Sequence, residues 1–314
     1  GSSSLWFSDD LLLSTGSALV NSAAASALDL DDGNRSAGGH PGASIIPACL
    51  AVAESSQSNA LDFLAAVVLG YEVAVRISAS RDLALLETFS TGRWCGFGAA
   101  CASAWLTGLS PNVTANAMSI AGIYSPIQSV SAISRVGHGT KEGIPWATMT
   151  GLIALELAQN GLQGPLDILD LPPYSNEKIV TGFGTRWVIH DTYHKIYSCC
   201  RWIHAAIDGL FSLMSENELD AKMIHSVSVL TFKRAVQLKN QLNPESLEAA
   251  QFSVPYCLAI TALYGPEILQ PMDFQAIGLS EVSDWAQRVN LQIDPQIEKN
   301  FPGQAGAQVV LGTE

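Results

Sequence analysis

The sequence predicts a mainly α-helical protein, with a large all-helical domain followed by a smaller α+β domain. From residue 14 to about residue 164, apolar side chains recur at helical spacing in segments that begin and end at capping residues. After Pro172-Pro173, helical segments alternate with segments in which every second residue is apolar, as in strands. We therefore predict a helical domain over residues 1–173 and an α+β domain over residues 174–314.

The helices of the first domain follow from their caps and apolar faces. Residues 14–28, rich in Ala, Leu and Val, predict a buried helix, and His40-Pro41 predicts the start of a second. Three more are predicted over residues 59–78 after Ser58, 112–121 after Ser110-Pro111, and 144–161 ending on glycine. In residues 59–78, the predicted core face comprises Leu61, Leu64, Ala65, Val68, Tyr71 and Val75.

The second domain shows both periodicities. Residues 194–214 lead into a helix, and residues 244–263 are again helical. Strands are predicted at residues 226–232, 289–293 and 308–311, the first because Val227, Val229 and Thr231 alternate along it.

Composition limits the function classes. The chain has 314 residues, of which 48% are hydrophobic and only 14% charged. Much surface is therefore expected to be buried in a large core, in a subunit contact, or against parts of the protein outside this sequence, and we favour a dimer. A net charge of −13 argues against nucleic acid and anionic membranes as partners.

The six cysteines show no paired spacing and no signal peptide is visible, which predicts reduced thiols and a cytoplasmic protein. No apolar run is long enough to predict a membrane span.

The segment ALDLDDGNRSAGGHPGASIIPA, residues 27–48, is the first candidate site. Asp29, Asp31 and Asp32 fall at the C-terminal end of a helix, where they oppose its dipole and repel one another. We expect a cation, a hydrogen-bond donor or the N-terminus of the next helix to compensate them. His40 lies at the start of that next helix, across a short loop from the aspartates. The alternative is that the aspartates are solvated helix-end charges and His40 is a capping residue.

Two further glycine-rich patches, residues 88–100 and 135–147, each place a cation near a turn that opens a helix. The cations are Arg93 and Lys141. Free backbone N–H groups at such a turn also favour an anion, which predicts a carboxylate-binding pocket. Ordinary surface cations on loops are the alternative.

Other chemistries have weaker support. Cys199-Cys200 precedes Arg201 and lies near Lys195 and His204 in the sequence, a setting that could lower a thiol pKa, although cysteine is more often simply buried. His190 and His194 have the spacing of helical zinc ligands, but no third ligand is evident, so no metal is predicted. The pattern Asp29-Leu30-Asp31-Asp32 matches the DxDD of protonation-initiated terpene cyclases, yet aromatic residues make up only 8% of the chain. Walker, dinucleotide-binding and G-x-S-x-G motifs are absent from the sequence, and no cofactor is predicted.

Several patches together resemble one family. They are ALDLDDGNRSAGGHPGASIIPA, FSTGRWCGFGAA, GTKEGIPWATMTGLIALELAQNGLQGP, KIYSCCRWIHAAID and FSVPYCLAITALYG, in that order. In this order they resemble the MmgE/PrpD family, which includes 2-methylcitrate dehydratase, cis-aconitate decarboxylase and iminodisuccinate epimerase. The resemblance implies a large helical domain, a smaller lid domain, a homodimer, and an inter-domain cleft that handles small polycarboxylates without a cofactor. It also implies further helices before Gly1 and a return segment after Glu314.

The resemblance also assigns residues. By position in the motifs, it implies catalytic roles for Asp29, His40 and Lys141. It implies that Lys195 and His204 bind substrate, together with Cys200, which stands in the place of a lid histidine. Arg93 and Arg201 are predicted to bind substrate because they are the other cations available to stabilise negative charge. Phe89 and Cys200 stand where family members carry histidines, which argues against decarboxylation of cis-aconitate.

The expected function is that of a carbon–oxygen lyase, a dehydratase acting on a di- or tricarboxylate such as a 2-methylcitrate-like hydroxy acid. Removing a proton next to a carboxylate places a second negative charge on that carboxylate, which the site must stabilise. We expect His40, held by Asp29, to transfer the proton and Lys141 to protonate the leaving hydroxyl. The alternatives are an epimerase of a substituted succinate and a non-catalytic carboxylate-binding member of the family.

Overall fold

The computed structural model describes residues 1–82, 86, 89–125 and 141–313, so the part of the third patch before Lys141 lies outside the described residues. The protein is mainly α-helical, as predicted. The helices are α1 (Ser14–Ala27), α2 (Gly42–Ser56), α3 (Ala60–Ala79), α4 (Cys95–Leu106), α5 (Pro111–Ile123), α6 (Ile144–Gln159), α7 (Asn176–Val180), α8 (His204–Glu216), α9 (Lys233–Val236), α10 (Leu247–Gln251), α11 (Val254–Tyr264), α12 (Ser280–Ala286) and α13 (Pro295–Asn300). The strands are β1 (Ser2–Ser4), β2 (Leu11–Leu13), β3 (Asp32–Asn34), β4 (Thr192–His194), β5 (Ile224–Thr231), β6 (Val289–Ile293) and β7 (Ala307–Thr313).

The chain divides into two compact units. Unit 1 contains the described residues within Gly1–Ser26, Asp31–Ser129 and Thr140–His194, and unit 2 those within Ala27–Leu30 and Lys195–Glu314. The boundary predicted after residue 173 stays a prediction. The short segment Ala27–Leu30, which carries Asp29, belongs to unit 2, whereas Asp31 and Asp32 belong to unit 1.

Small residues let the helices of unit 1 pack closely. A Cβ added at Gly98 of α4 would lie 2.5 Å from the carbonyl oxygen of Gly70 on α3, so larger side chains cannot occupy this crossing. The α3 face that packs here carries Ala66, Gly70 and Ala74 at helical spacing.

The prediction for α3 needs two corrections. Leu61 and Leu64, assigned to its core face, are 78% and 56% exposed. Leu64 shares its face with Tyr71 and Val75, which are buried, so the predicted face is correct farther along the helix. The assignment is wrong in the first turns of α3, where Leu61, Leu64 and also Ala65 are exposed. The N-cap is Asn59 rather than Ser58, because the Asn59 side chain accepts a hydrogen bond from the Asp62 N–H.

Unit 2 contains a three-stranded sheet in the order β6-β5-β7. Strand β5 runs parallel to β6, with Val227 opposite Val289, and antiparallel to β7, with Val229 opposite Val309. Val227 and Val229 are buried, as their alternation predicts. The helix predicted over residues 244–263 is two helices, α10 and α11, because the Ser253 side chain accepts a hydrogen bond from Tyr256 N–H and starts a new helix.

Two short antiparallel pairs, β1-β2 and β3-β4, were not predicted, because three-residue strands carry too little periodicity to detect. The β3-β4 pair sets Gly33 opposite Tyr193 within unit 1. Among the described residues, no helix combines the length and apolarity needed to cross a membrane.

Candidate active site

Each of the three clustered aspartates lies beside a group that can offset its negative charge. Asp32 lies at the N-terminus of α2, Asp31 lies beside His40, and Asp29 forms an ion pair with Lys195. The expected helix N-terminus and hydrogen-bond donor thus both act on Asp32, and the expected cation, Lys195, acts on Asp29.

Asp32 is fixed by its carboxylate. Oδ1 accepts the N–H of Gly42, the first residue of α2, at 2.9 Å, and Oδ2 accepts the Tyr71 hydroxyl at 2.7 Å. A carboxylate at a helix N-terminus is stabilised by the helix dipole. Burial nevertheless raises the pKa of Asp32 above its ordinary value, against the lowering effect of the Tyr71 hydrogen bond. Because α2 begins at Gly42, Pro41 is its N-cap and His40 precedes the helix.

The His40 ring is oriented by a backbone group. Its Nδ1 lies 2.6 Å from the carbonyl oxygen of Asp32, which can only accept, so Nδ1 carries the proton. In the neutral ring the lone pair is therefore on Nε2. The Asp31 carboxylate lies 3.7 Å from Nδ1 and that of Glu142 lies 4.0 Å from Nε2. Carboxylates on two sides of the ring stabilise its protonated form.

The Glu142 carboxylate is held by the second glycine-rich patch. Its Oε2 accepts the Thr91 N–H at 3.0 Å and the Thr91 hydroxyl at 2.9 Å, while Thr91 Oγ1 accepts the His40 N–H at 3.1 Å. The Ser90 hydroxyl donates to the Glu142 carbonyl. A Cβ at Gly92 would lie 2.6 Å from that carbonyl oxygen, so glycine is required for this close approach.

The turn Lys141–Gly143 has an unusual backbone. Lys141, Glu142 and Gly143 all have positive φ, at 41°, 58° and 73°. Left-handed conformations at the two non-glycine residues cost about 1 kcal/mol or more each, and such residues cluster at functional sites. Lys141 is only 6% exposed, so it is a buried cation rather than a surface one. Sequence reasoning missed Glu142 and Thr91, although both lie within the glycine-rich patches that drew attention to Lys141 and Arg93.

Arg93 ends a short 3-10 turn, Thr91–Arg93, and is half-buried. Burial, with a smaller contribution from the charge of Arg93, lowers the pKa of Arg81 to about 10. Arg81 is therefore a second cation near Arg93 in unit 1.

Unit 2 contains the buried ion pair of Lys195 and Asp29. Lys195 Nζ lies 3.0 Å from Asp29 Oδ2, and the two side chains are 1% and 7% exposed. The Ser198 hydroxyl donates to the Leu28 carbonyl, and Gln251 Nε2 donates to the Ala27 carbonyl at 3.2 Å. Asp29 itself has a φ of 50°. Side chains from distant parts of the chain thus fix the Asp29 segment in a strained conformation.

His204 begins α8 and is buried. Its Nε2 donates to the Cys199 carbonyl at 3.3 Å. Burial lowers the pKa of His204 to about 4, and the charges of Arg201 and Lys195 contribute. His204 is therefore neutral at physiological pH.

Two sequence alternatives are corrected or closed. Burial raises the pKa of the Cys199 thiol well above its ordinary value, so the alternative that this setting lowers the pKa does not hold for Cys199. Cys200 is half-buried, and its N–H donates to the Gln251 carbonyl at 2.9 Å.

His190 lies in a 3-10 turn and His194 in β4, so they do not share a helix face. The described residues contain no cluster of three or more His, Cys, Asp or Glu side chains suited to a metal.

The predicted site residues fall into two sets. Unit 1 holds His40, Lys141 and Arg93. The contacts of Thr91 connect His40 to Glu142, the residue next to Lys141. Unit 2 holds Asp29, Lys195, Cys200, Arg201 and His204. The prediction that Asp29 holds His40 stays a prediction; within unit 1, the ring contacts Asp32 and Asp31.

Comparison with protein families matches nearly the whole chain. Residues 1–176 match the MmgE/PrpD N-terminal domain, and residues 197–314 match the MmgE/PrpD C-terminal domain.

Curated relatives come from Aspergillus. The cis-aconitate decarboxylase-like protein oryM of Aspergillus oryzae is 25% identical over 335 aligned residues, which cover 94% of this chain and 67% of the relative. Cis-aconitate decarboxylase of Aspergillus terreus is 26% identical over 285 residues, covering 77% of this chain and 56% of the relative. The chain thus corresponds to only part of each of these longer proteins.

Proposed function

Because the chain belongs to the MmgE/PrpD family, we propose that it is a cofactor-independent lyase that acts on a small polycarboxylate. The proposed reaction begins with proton transfer at a carbon next to a carboxylate. More specifically, we propose that the reaction is dehydration of a di- or tricarboxylic hydroxy acid such as a 2-methylcitrate-like substrate.

The orientation of His40 is the observation that carries the proposal. The Asp32 carbonyl accepts the proton of Nδ1, which leaves the lone pair of the neutral ring on Nε2. An imidazole with a fixed tautomer is suited to removing a proton next to a carboxylate. Nε2 takes that proton, and the electron pair left on carbon forms the new double bond as the hydroxyl group leaves.

The buried Lys141 supports the same chemistry. When the proton leaves, negative charge develops on the substrate carboxylate, and a preorganised cation stabilises it most where water is excluded. Lys141 is nearly fully buried and lies next to Glu142 in the strained turn. We propose that it binds this carboxylate or protonates the leaving hydroxyl, so that water departs.

Family membership supports three further proposals. Unit 2 is the lid domain of the family, the protein is a homodimer, and it works in the cytoplasm, which its free cysteines favour. We also propose that Asp29 takes part in catalysis and that Lys195 binds substrate.

A substrate panel followed by proton NMR in D₂O tests the reaction class. The panel contains citrate, 2-methylcitrate, cis-aconitate and substituted succinates. We expect loss of water from a hydroxy acid, seen as new vinyl signals. Release of CO₂ from cis-aconitate would establish a decarboxylase instead, as the names of the relatives favour.

Two other outcomes would contradict the lyase. Deuterium exchange with inversion and no elimination would establish an epimerase, which needs a second acid–base group on the opposite face of the carbon. Tight binding of a tricarboxylate with no turnover would establish a non-catalytic binding protein.

A further inference from the structure

Glu142 lies in unit 1 with no role assigned by the motifs, yet it is the carboxylate nearest the lone-pair nitrogen of His40 among the contacts described. Its Oε1 is 4.0 Å from Nε2, the nitrogen proposed to take the substrate proton. Its other oxygen, Oε2, accepts two hydrogen bonds from Thr91, which prevents the carboxylate from turning away. The charge is therefore fixed at a set distance from the reacting nitrogen.

Thr91 sets that distance from both sides. Its hydroxyl oxygen accepts the His40 N–H at 3.1 Å and donates its own proton to Glu142 at 2.9 Å. Thr91 is fully buried, so water does not compete for these hydrogen bonds. One hydroxyl group thus connects the backbone of the histidine to the carboxylate that faces its ring.

The backbone of Glu142 supports a functional reading. Its φ of 58° would suit glycine, and the preceding Lys141 is also left-handed. Glycine would adopt this conformation at a lower cost, so a glutamate here indicates that the side chain has a role of its own.

We propose that Glu142, locked by Thr91, is a positioning residue that stabilises the protonated form of the His40 imidazole during proton transfer. The proposal deepens the proposed function and rests on it, since it assigns the electrostatic partner of the proposed base. Among the described contacts, two other carboxylates lie near the ring: Asp31, 3.7 Å from Nδ1, and Asp32, which accepts hydrogen bonds from Gly42 and Tyr71. Glu142 differs from both because it faces the nitrogen that changes its protonation.

The test is the variant Glu142→Gln, read by NMR titration of the histidine rings. Glutamine keeps an oxygen that accepts from Thr91 but removes the negative charge, so a structural role survives and an electrostatic role does not. The chain has only six histidines, and their signals can be assigned by substitution. We expect the midpoint of the His40 titration to fall by about 1 pH unit, since an opposite charge at this distance is lost.

The pH profile of turnover gives a second readout. The acid limb of kcat/KM, where the base becomes protonated, should move to lower pH by the same amount in Glu142→Gln. Thr91→Val should shift both readouts in the same direction but less, whereas Thr91→Ser, which keeps the hydroxyl, should shift neither.

Glu156→Gln is the matched control, because Glu156 is exposed on α6 and the chemical change is the same. A folded Glu142→Gln protein whose His40 midpoint stays within about 0.3 pH units of the wild type overturns the proposal. Failure of the proposed function is distinguishable from this result, because the titration needs no substrate.

Discussion

His40 and His204 make the same kind of hydrogen bond, although from different ring nitrogens, and their electrostatic surroundings are opposite. Each donates one ring N–H to a backbone carbonyl, His40 to Asp32 and His204 to Cys199. Carboxylates lie on two sides of the His40 ring, whereas the charges that act on His204 include those of the cations Arg201 and Lys195. One environment favours the imidazolium and the other opposes it.

The comparison shows that a shared hydrogen-bond pattern does not determine the role of a histidine. Burial and nearby cations keep His204 neutral, with a pKa of about 4, so it cannot donate a catalytic proton near neutral pH. His40, with a fixed tautomer and carboxylates for neighbours, is suited to accept a proton and release it again. The sequence motifs singled out both histidines, and only the surroundings separate them.

The largest expected effect is on turnover. His40→Gln should lower kcat/KM about 10³-fold for whichever substrate responds, because the proton acceptor is removed. His204→Gln retains an N–H that can bond to the Cys199 carbonyl, so it should change kcat/KM by less than about tenfold, the worth of one hydrogen bond. Initial rates of the two variants measure the contrast.

His190→Gln, on an exposed turn, is the control for the substitution itself. Equal losses in His40→Gln and His204→Gln would remove the functional distinction between the two histidines.

The next effect is on the stability of unit 2. Lys195→Met leaves the Asp29 carboxylate buried without the cation 3.0 Å away, which should lower the free energy of unfolding by about 3 kcal/mol. Urea unfolding of the variant measures the loss. The double variant Asp29→Asn with Lys195→Met should recover much of it, because no unpaired charge remains.

Lys195→Met should also raise the pKa of His204, since Lys195 is one of the cations that lower it. If the single and double variants were equally unstable, the ion pair would not account for the loss.

The third effect is the pH dependence of stability that His204 produces. Its pKa is about 4 in the folded protein against 6.5 ordinarily, so between these values the unfolded chain binds a proton that the folded chain does not. Stability therefore falls as the pH falls through this window, by about 2 kcal/mol between pH 7 and pH 5. Comparing urea unfolding of the wild type and His204→Gln at both pH values isolates this contribution, since glutamine does not titrate. A pH dependence unchanged in the variant would show that His204 is not kept neutral.

Much of the fold was predictable because it depends on local signals. Caps and helical periodicity located the main helices, and α5 begins as predicted, with the Ser110 side chain accepting the Val113 N–H. Alternation of apolar residues located β5 and β6. The exposed Leu61 and Leu64 were misassigned because periodicity identifies a helix face but cannot say over which turns another element covers that face.

The site was predictable only in part, because it depends on contacts between distant segments. Motifs gave His40, Lys141 and Lys195, but Glu142, which faces the His40 ring, and Asp29, which pairs with Lys195, each lie more than 100 residues from their partner in the sequence. Glu142 was missed because nothing local distinguishes a glutamate that faces a histidine from one that faces solvent. Tyr71 was assigned to the core from its spacing, which is correct for its ring, but its hydroxyl donates to Asp32, a residue on another element.

The smallest effect concerns that hydroxyl. Tyr71→Phe removes the 2.7 Å hydrogen bond to Asp32 and should lower the free energy of unfolding by about 1 kcal/mol at pH 7. The pKa of Asp32 is already raised by burial and should rise further in the variant, since the hydroxyl favours the charged carboxylate. A carboxyl group whose pKa is raised on folding costs stability above that pKa, and the cost disappears as the pH falls through it.

The difference in free energy of unfolding between wild type and Tyr71→Phe should therefore become smaller toward acid pH. The difference between wild type and His204→Gln also changes with pH, but because the wild type loses stability as the pH falls. Urea unfolding from pH 7 to pH 4 measures both. A Tyr71→Phe penalty that grew at low pH would mean that the hydroxyl does not stabilise the charged form of Asp32.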